Sequence, residues 1–335
     1  MYTYSGTKGE KVQMYGRDNF HDILNNIFGS RFLEYRNNWD RAGRLEYLPE
    51  FPLFLDVEPE YQCNMRCIMC IHSLPKTKNP WAMADIMAPD LYERICKEGA
   101  AFGLPAITVS NNNEGLLEKY LFEYIDIAAR YGVMDIFLGT NGLLLTKEMS
   151  QKLISSKITR LLVSIDAASE ETYKKIRCND YFKIVEGNIN TFYEERKKVN
   201  SSTPLLRVSF VKTSVNQHEI ESFRNRWIGK ADIISIQDYI SPWLFWDSSD
   251  KLIVNKEIKD KDPSVKKQCS AIWQRMTIRA NGDVLACCNM RNELVLGNVD
   301  TQSIYDIWHG KEMNALREVH ASGDYKKIKI CRECL

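Results

Sequence analysis

The sequence has no apolar run approaching the length of a membrane span, so it offers no transmembrane helix. Its first residues, Met1 to Lys11, are polar and contain no apolar signal core. It has no excess of either charge: 45 Lys and Arg stand against 44 Asp and Glu, a net charge of +1. Broad electrostatic binding to nucleic acid or to a membrane surface therefore has no basis. What the sequence does have is cysteine, ten in 335 residues. Without a secretion signal, these point to metal or redox chemistry rather than disulfides, and to the reducing cytoplasm. The length suffices for one large domain plus a small one. A composition of 44% hydrophobic and 27% charged residues is that of a soluble globular protein.

Three of the cysteines stand together in Cys63-Asn64-Met65-Arg66-Cys67-Ile68-Met69-Cys70, a C-x3-C-x2-C spacing just past an apolar run, Leu53 to Val57. Random placement of ten cysteines gives roughly 0.01 such triplets, so chance is a poor explanation. Three thiolates on one short loop hold three irons of a cubane cluster and leave the fourth without a protein ligand. An open coordination position separates a reactive metal site from a closed structural one. The other reading is a zinc loop or buried cysteines, although zinc sites favour paired C-x2-C spacings.

Around this loop the chain divides into four parts. Residues 1–50 form a helical extension, with Phe20, Ile23, Leu24, Ile27 and Phe28 at helical spacing and a second helix over Phe32 to Leu45. Residues 51–237 alternate strands with amphipathic helices. The strand candidates are Leu53–Glu58, Ala106–Ser110, Met134–Gly139, Arg160–Ile165, Leu206–Val211 and Ile233–Gln237. The helices between them are Pro89–Phe102, Leu117–Arg130, Lys147–Ser155, Phe182–Val199 and Asn216–Trp227. Six such units in series predict a parallel sheet covered by helices, and periodicity leaves open whether it is flat or curved. Residues 238–268, with Tyr239, Trp243, Phe245 and Trp246, form a bridge. Its aromatics either pack the junction or line a cavity there.

Residues 269–335 hold a second set of cysteines. Cys269 and Cys287 are spaced C-x17-C, and Cys331-Arg332-Glu333-Cys334 closes the sequence. Arg275–Arg279 and Val284–Cys287 flank Asn281-Gly282, a hairpin turn signal. The hairpin draws Cys269 and Cys287 together, and a helix around Ser303–Val319 returns the final pair to them. Four cysteines fully ligate a zinc ion or a [4Fe–4S] cluster, and spacing does not separate the two. Cys288 adjoins a ligand and competes with Cys287 for that role, while Cys96 falls inside an amphipathic helix as a core residue.

Together the two cysteine patterns resemble those of the radical S-adenosylmethionine superfamily, in the subgroup with the auxiliary-cluster extension called SPASM or, in its smaller form, twitch. Gly282-x4-Cys287, Leu296-Gly297-Asn298 and Ile307-Trp308 also match. The resemblance runs from about Leu53 to Leu335. It looks most like the one-auxiliary-cluster dehydrogenases of the 2-deoxy-scyllo-inosamine type. It implies an α/β fold, a partial (β/α)6 TIM-like barrel with a small C-terminal α+β domain and chemistry at the C-terminal strand ends. Cys63, Cys67 and Cys70 would hold a [4Fe–4S] cluster whose open iron binds S-adenosylmethionine. One electron from the cluster then cleaves the sulfonium to a 5′-deoxyadenosyl radical, which takes a hydrogen atom from substrate. Cys269, Cys287, Cys331 and Cys334 would hold one auxiliary [4Fe–4S] cluster.

The same resemblance assigns the cofactor's contacts. Glu114, in Asn111-Asn112-Asn113-Glu114, stands where relatives read Gly-Gly-Glu-Pro, and with Asn113 would hold the amino group. The asparagines would keep the turn by taking left-handed backbone angles. Thr140 and Asn141, in a Gly-Thr-Asn-Gly turn the family shows, and Ser164 and Asp166 at the fourth strand end would line the cofactor, the last two meeting its ribose or carboxylate; such a polar pair is otherwise a helix cap. Arg177 would pair with the carboxylate, or else form a surface ion pair. Cys178 lies where relatives often have glycine, either as an unreactive thiol or as a hydrogen donor.

The expected reaction is oxidation of a secondary alcohol in a sugar, aminocyclitol or similar polar metabolite, with the auxiliary cluster as electron acceptor. Sugar epimerisation and radical modification of a ribosomal peptide are the alternatives. For the peptide, the first 50 residues are too short for the winged-helix leader-binding domain of many relatives. A flavodoxin- or ferredoxin-type donor would supply the electron.

Overall fold

Six apolar strands alternating with amphipathic helices bury both sets of side chains by lying parallel in one sheet with the helices against it. The computed structural model has this arrangement, and it describes residues 2–5, 11–16, 20–74, 85–239, 269–287 and 294–334. The strands are β1 (Tyr2–Ser5), β2 (Lys11–Gly16), β3 (Phe54–Glu58), β4 (Ala106–Thr108), β5 (Asp135–Thr140), β6 (Arg160–Ser164), β7 (Leu205–Lys212), β8 (Ile233–Asp238), β9 (Arg275–Arg279), β10 (Asp283–Leu285) and β11 (Val295–Asn298). The helices are α1 (Phe20–Phe28), α2 (Ser30–Gly43), α3 (Pro89–Ala101), α4 (Leu121–Arg130), α5 (Lys147–Ser155), α6 (Glu170–Arg177), α7 (Phe182–Lys198), α8 (Ile220–Trp227), α9 (Ala271–Gln274), α10 (Ile304–Trp308), α11 (Lys311–Ala321) and α12 (Lys329–Cys334). Local chemistry sets the helix starts. Thr146 and Ser169 cap α5 and α6 by accepting from the N–H groups of Met149 and Thr172.

Strands β3 to β8 pair in parallel in sequence order. This is the partial, open (β/α)6 sheet that the resemblance implies. The sheet extends at both ends, in the order β1-β2-β8-β7-β6-β5-β4-β3-β9-β10-β11. The helical pattern of the first 50 residues accounts for α1 and α2 but not for β1 and β2, which pair with each other while β2 pairs on β8, joining residues more than 200 positions apart. The predicted hairpin is β9–β10, with Gly282 at φ 83 in its turn. Strand β9 also lies parallel to β3 along its whole length, from Phe54 opposite Arg275 to Glu58 opposite Arg279. The cysteine-bearing C-terminal segment is thereby built onto the strand that leads into the three-cysteine loop. Of the bridge only 238–239 are described, so Trp243, Phe245 and Trp246 lie outside the described residues, as does Cys288.

The pleat gives the sheet two unlike faces, because strand side chains alternate. One face carries Leu55, Val57, Ile107, Leu138, Val163, Val208 and Ile234, all fully buried in a core shared with Tyr124, Phe192, Phe223 and Trp227 of the helices. Full burial of each such side chain is worth about 1.5–3 kcal/mol. The register sends the intervening residues to the opposite face: Phe54, Ala106, Phe137, Leu162 and Ile233 toward the strand starts, with Asp56, Glu58, Thr108, Arg207, Ser209, Ser235, Thr277 and Arg279. Thr277 and Ser235 there are completely buried. The inner face of the half-barrel is therefore mixed, with its buried polar groups toward the C-terminal strand ends.

Candidate active site

The three-cysteine loop leaves the C-terminal end of β3 and closes in a 3-10 turn at Ile71–Ser73. Cys67 is buried, and Cys63 and Cys70 are half-buried. Burial pushes the Cys63 thiol up and the Cys70 thiol up to about 12, with Cys67 and Cys63 adding to the effect at Cys70. Neighbouring thiols that resist ionisation in this way fit a site whose bound cation supplies the missing positive charge. Among the described residues no three His, Cys, Asp or Glu side chains close on one point in the manner of a single-ion site. A cubane spaces its thiolates more widely, one to each iron.

Two sets of residues hold the loop. On one side, the Asn141 amide donates to Asn64 Oδ1 at 2.7 Å. The Asn141 backbone N–H donates to Glu114 Oε2 at 2.7 Å, Leu116 N–H donates to Glu114 Oε1 at 3.1 Å, and Thr140 Oγ1 also donates to Oε1. Glu114, Thr140 and Asn141 are thus brought together beside the loop. Glu114 is buried, which raises its pKa. Three of its roughly four acceptor positions are used, leaving one on Oε2. Gly115 packs so tightly that a Cβ there would lie 2.6 Å from the carbonyl oxygen of Gly139. That contact explains why a glycine follows Glu114.

On the other side, the C-terminal end of α6 clasps the loop. Ile68 N–H donates to Ile176 O at 3.0 Å. Arg177 is buried; its NH2 lies 2.5 Å from Asp166 Oδ2 and its NH1 donates to Cys67 Sγ at 3.5 Å. The surface ion pair is therefore not what forms. Asp166 also accepts from Val211 N–H at 2.6 Å, so it is held by β7 and by Arg177. Ser164 ends β6 opposite Ser209. Cys178 caps α6 in the left-handed conformation at φ 57, exposed and with its thiol against the backbone of Ile68. A helix C-terminus of this kind favours glycine. Cys178→Gly is expected to stabilise the fold by about 1 kcal/mol in urea unfolding, since the left-handed angle is costly for any residue with a Cβ.

The asparagine run behaves differently from its expected role. None of Asn111, Asn112 and Asn113 has a positive φ. Instead Asn111 donates to Glu58 Oε1 at 3.1 Å, and Asn112 donates to the same atom. Arg279 Nε of β9 lies 3.9 Å from Glu58 Oε2. Asn113 Oδ1 accepts from Asn111 N–H at 3.0 Å, while its Nδ2 is buried without a hydrogen-bond partner. An orphaned donor beside the loop suits a cofactor with carboxylate and hydroxyl acceptors. His72 ties the two segments together, its Nε2 2.6 Å from Asn112 O and its ring stacked on Tyr61.

Glu58 was not singled out by the sequence, where it reads as the end of a strand. Burial raises its pKa to about 7, against the lowering effects of Asn112 and Arg279. The folded chain therefore holds this proton more tightly than the unfolded one, whose value is 4.5. The group's stabilising contribution is complete below pH 4.5 and is lost as pH rises through 7, on the order of 3 kcal/mol in all. Thermal unfolding of Glu58→Gln at pH 5 and pH 8 should show this loss removed.

Two of the C-terminal cysteines, Cys269 and Cys331, meet at a histidine. Cys269 precedes α9, Cys287 follows β10, and α11 carries the chain back so that buried Cys331 lies in α12. Cys334 ends α12. His320, 1% exposed, sits between two of them: Cys269 N–H donates to its Nδ1 at 3.4 Å, and its Nε2 lies 3.3 Å from Cys331 Sγ. Nothing in the sequence marked this histidine. Among the described residues the donors are thiols, Cys269 and Cys287 flanking the hairpin and Cys331 on the returning helix, a chemistry that suits an iron–sulfur cluster.

Residues 57–209 match the family model of the radical SAM superfamily. Residues 269–335 match SPASM, an iron-sulfur cluster-binding domain. The chain therefore carries a radical SAM domain and an iron–sulfur cluster-binding domain, which together imply a [4Fe–4S] cluster, S-adenosylmethionine and an auxiliary iron–sulfur cluster as cofactors. The probable GTP 3′,8-cyclase of Methanocaldococcus jannaschii is 30% identical over 156 residues, 46% of this chain and 48% of the relative. The match thus spans about half the length of that protein. Among solved structures, BtrN in complex with AdoMet and 2-DOIA superposes with a TM-score of 0.54 at 21% identity, covering 85% of this chain and 93% of that one. Streptococcus suis SuiB bound to precursor peptide SuiA superposes with a TM-score of 0.62 at 15% identity, covering 89% and 72%. These likenesses extend to the fold. No described helix is long and apolar enough to cross a membrane.

Proposed function

We propose that this enzyme oxidises a secondary alcohol of a sugar, aminocyclitol or similar polar metabolite. The observation that carries the reading is the cluster of polar groups on the inner face toward the C-terminal strand ends, Asp56, Glu58, Thr108, Ser209 and Ser235. A hydroxyl-rich substrate meets hydrogen-bonding partners there, where an apolar one would leave buried polar groups unpaired. When bound, the cofactors supply a 5′-deoxyadenosyl radical to take the carbinol hydrogen atom and an auxiliary cluster to accept one electron. The chain's residues do the rest. Cys63, Cys67 and Cys70 hold the first cluster, and Cys269, Cys287, Cys331 and Cys334 the second. Glu114, Asn113, Thr140 and Asn141 cradle the cofactor on one side, and Ser164, Asp166 and Arg177 flank it on the other. Glu58 takes the hydroxyl proton, so that loss of one hydrogen atom, one proton and one electron leaves a ketone. Its pKa near 7 suits a general base at neutral pH.

Two other readings rest on particular observations. The name of the M. jannaschii relative favours radical chemistry on a purine nucleotide. The exposed Cys178 thiol, next to the cysteine loop, favours return of a hydrogen atom and hence epimerisation; Cys178→Gly would then stop inversion while sparing hydrogen abstraction. The test is anaerobic incubation of reconstituted protein with dithionite, S-adenosylmethionine and, separately, polyols, aminocyclitols and GTP. A ketone from an alcohol supports the first reading; turnover of GTP alone replaces it.

A further inference from the structure

His320 connects two auxiliary-site cysteines, and its hydrogen bonds fix its protonation. Nδ1 accepts the Cys269 N–H at 3.4 Å, so it carries no proton. The ring is then the neutral tautomer with its hydrogen on Nε2, which faces Cys331 Sγ at 3.3 Å. The ring has no freedom to turn away, because it is buried and Tyr325 lies parallel to it at 6.3 Å. Its N–H is therefore committed to one cysteine sulfur.

We infer that His320 is a positioning residue of the auxiliary cluster: by donating from Nε2 to the Cys331 thiolate it raises the cluster's reduction potential and fits it to accept an electron. Reduction adds negative charge to the cluster, and this charge spreads onto the ligating sulfurs. A fixed N–H on one sulfur stabilises the reduced form more than the oxidised one. The inference rests on the reading that Cys269, Cys287, Cys331 and Cys334 hold a cluster. It explains why a histidine occupies a fully buried position whose packing an apolar residue would fill at no hydrogen-bonding cost.

The test uses the full chain with Cys63, Cys67 and Cys70 replaced by alanine, so that a single cluster remains to be titrated. His320→Leu removes the donor, and His320→Gln keeps an N–H on a side chain of similar reach. Iron is counted in each protein, and midpoint potentials are read by electron paramagnetic resonance. The expected result is about four irons in all three. The equilibrium constant for reduction should fall at least about tenfold in His320→Leu, about 59 mV for one electron, and be largely restored in His320→Gln. Equal potentials in all three proteins would overturn the inference. Loss of iron from both His320 variants would also overturn it, by making the ring a ligand or a structural support. Absence of iron from the parent would instead remove the four-cysteine site, and the role of His320 with it.

Discussion

Replacing Cys63, Cys67 and Cys70 together by alanine is expected to abolish 5′-deoxyadenosine formation and to lower iron from about eight to about four per chain. The effect is total because no other group supplies an open iron position. Among the described residues the remaining cysteines are a core thiol, Cys96, an exposed one, Cys178, and the C-terminal set. The fold should survive. The loop leaves β3 after its pairing with β4 and β9 is complete, and the core against α3 and α4 does not include Cys63 or Cys70. Circular dichroism of the variant would then match the parent. Retention of about eight irons would mean that these cysteines hold no cluster.

Glu58→Gln is expected to lower ketone formation by about 10²- to 10⁴-fold, the usual worth of a general base, while 5′-deoxyadenosine still forms. Hydrogen abstraction precedes deprotonation, so the two products should become uncoupled. Glutamine keeps an acceptor oxygen for Asn111 and Asn112 and preserves their network. In the parent, ketone formation should rise with pH up to about 7 and then level, because the carboxylate must be ionised to accept a proton. Burial is what raises this value; the Asn112 hydrogen bond and Arg279 lower it, and Asp56 beside Glu58 adds to the rise. An unchanged rate and pH profile in the variant would assign the proton to another group.

Much of this architecture was legible in the sequence, and for a physical reason. Strands β3 to β8 and helices α3, α4, α5, α7 and α8 obey local periodicity, and α5 runs from Lys147 to Ser155 as its apolar spacing predicts. Cysteine spacing is equally local, so both metal patterns stood out. What stayed hidden depends on contacts between distant segments. β1 and β2 are short, and they join the sheet through the pairing of β2 with the distant β8. The pairing of β9 with β3 joins positions over 200 residues apart, and with it comes the approach of Arg279 to Glu58. Asn111 and Asn112 read as substitutes for glycine, yet their side chains rather than their backbones do the work. Arg177 was readable as a cation near the cofactor, but its hold on Cys67 and Asp166 required the position of the α6 terminus. His320 sits on an amphipathic helix where a buried histidine and a buried core residue look alike.

The most direct test follows deuterium from the carbinol carbon. Reconstituted protein would be incubated anaerobically with dithionite, S-adenosylmethionine and polyols or aminocyclitols deuterated at that carbon. The expected result is 5′-deoxyadenosine carrying one deuterium, matched one to one by ketone. Deuterated 5′-deoxyadenosine accompanied by an inverted alcohol holding solvent hydrogen, or turnover of GTP with none of these alcohols, would contradict an alcohol oxidation.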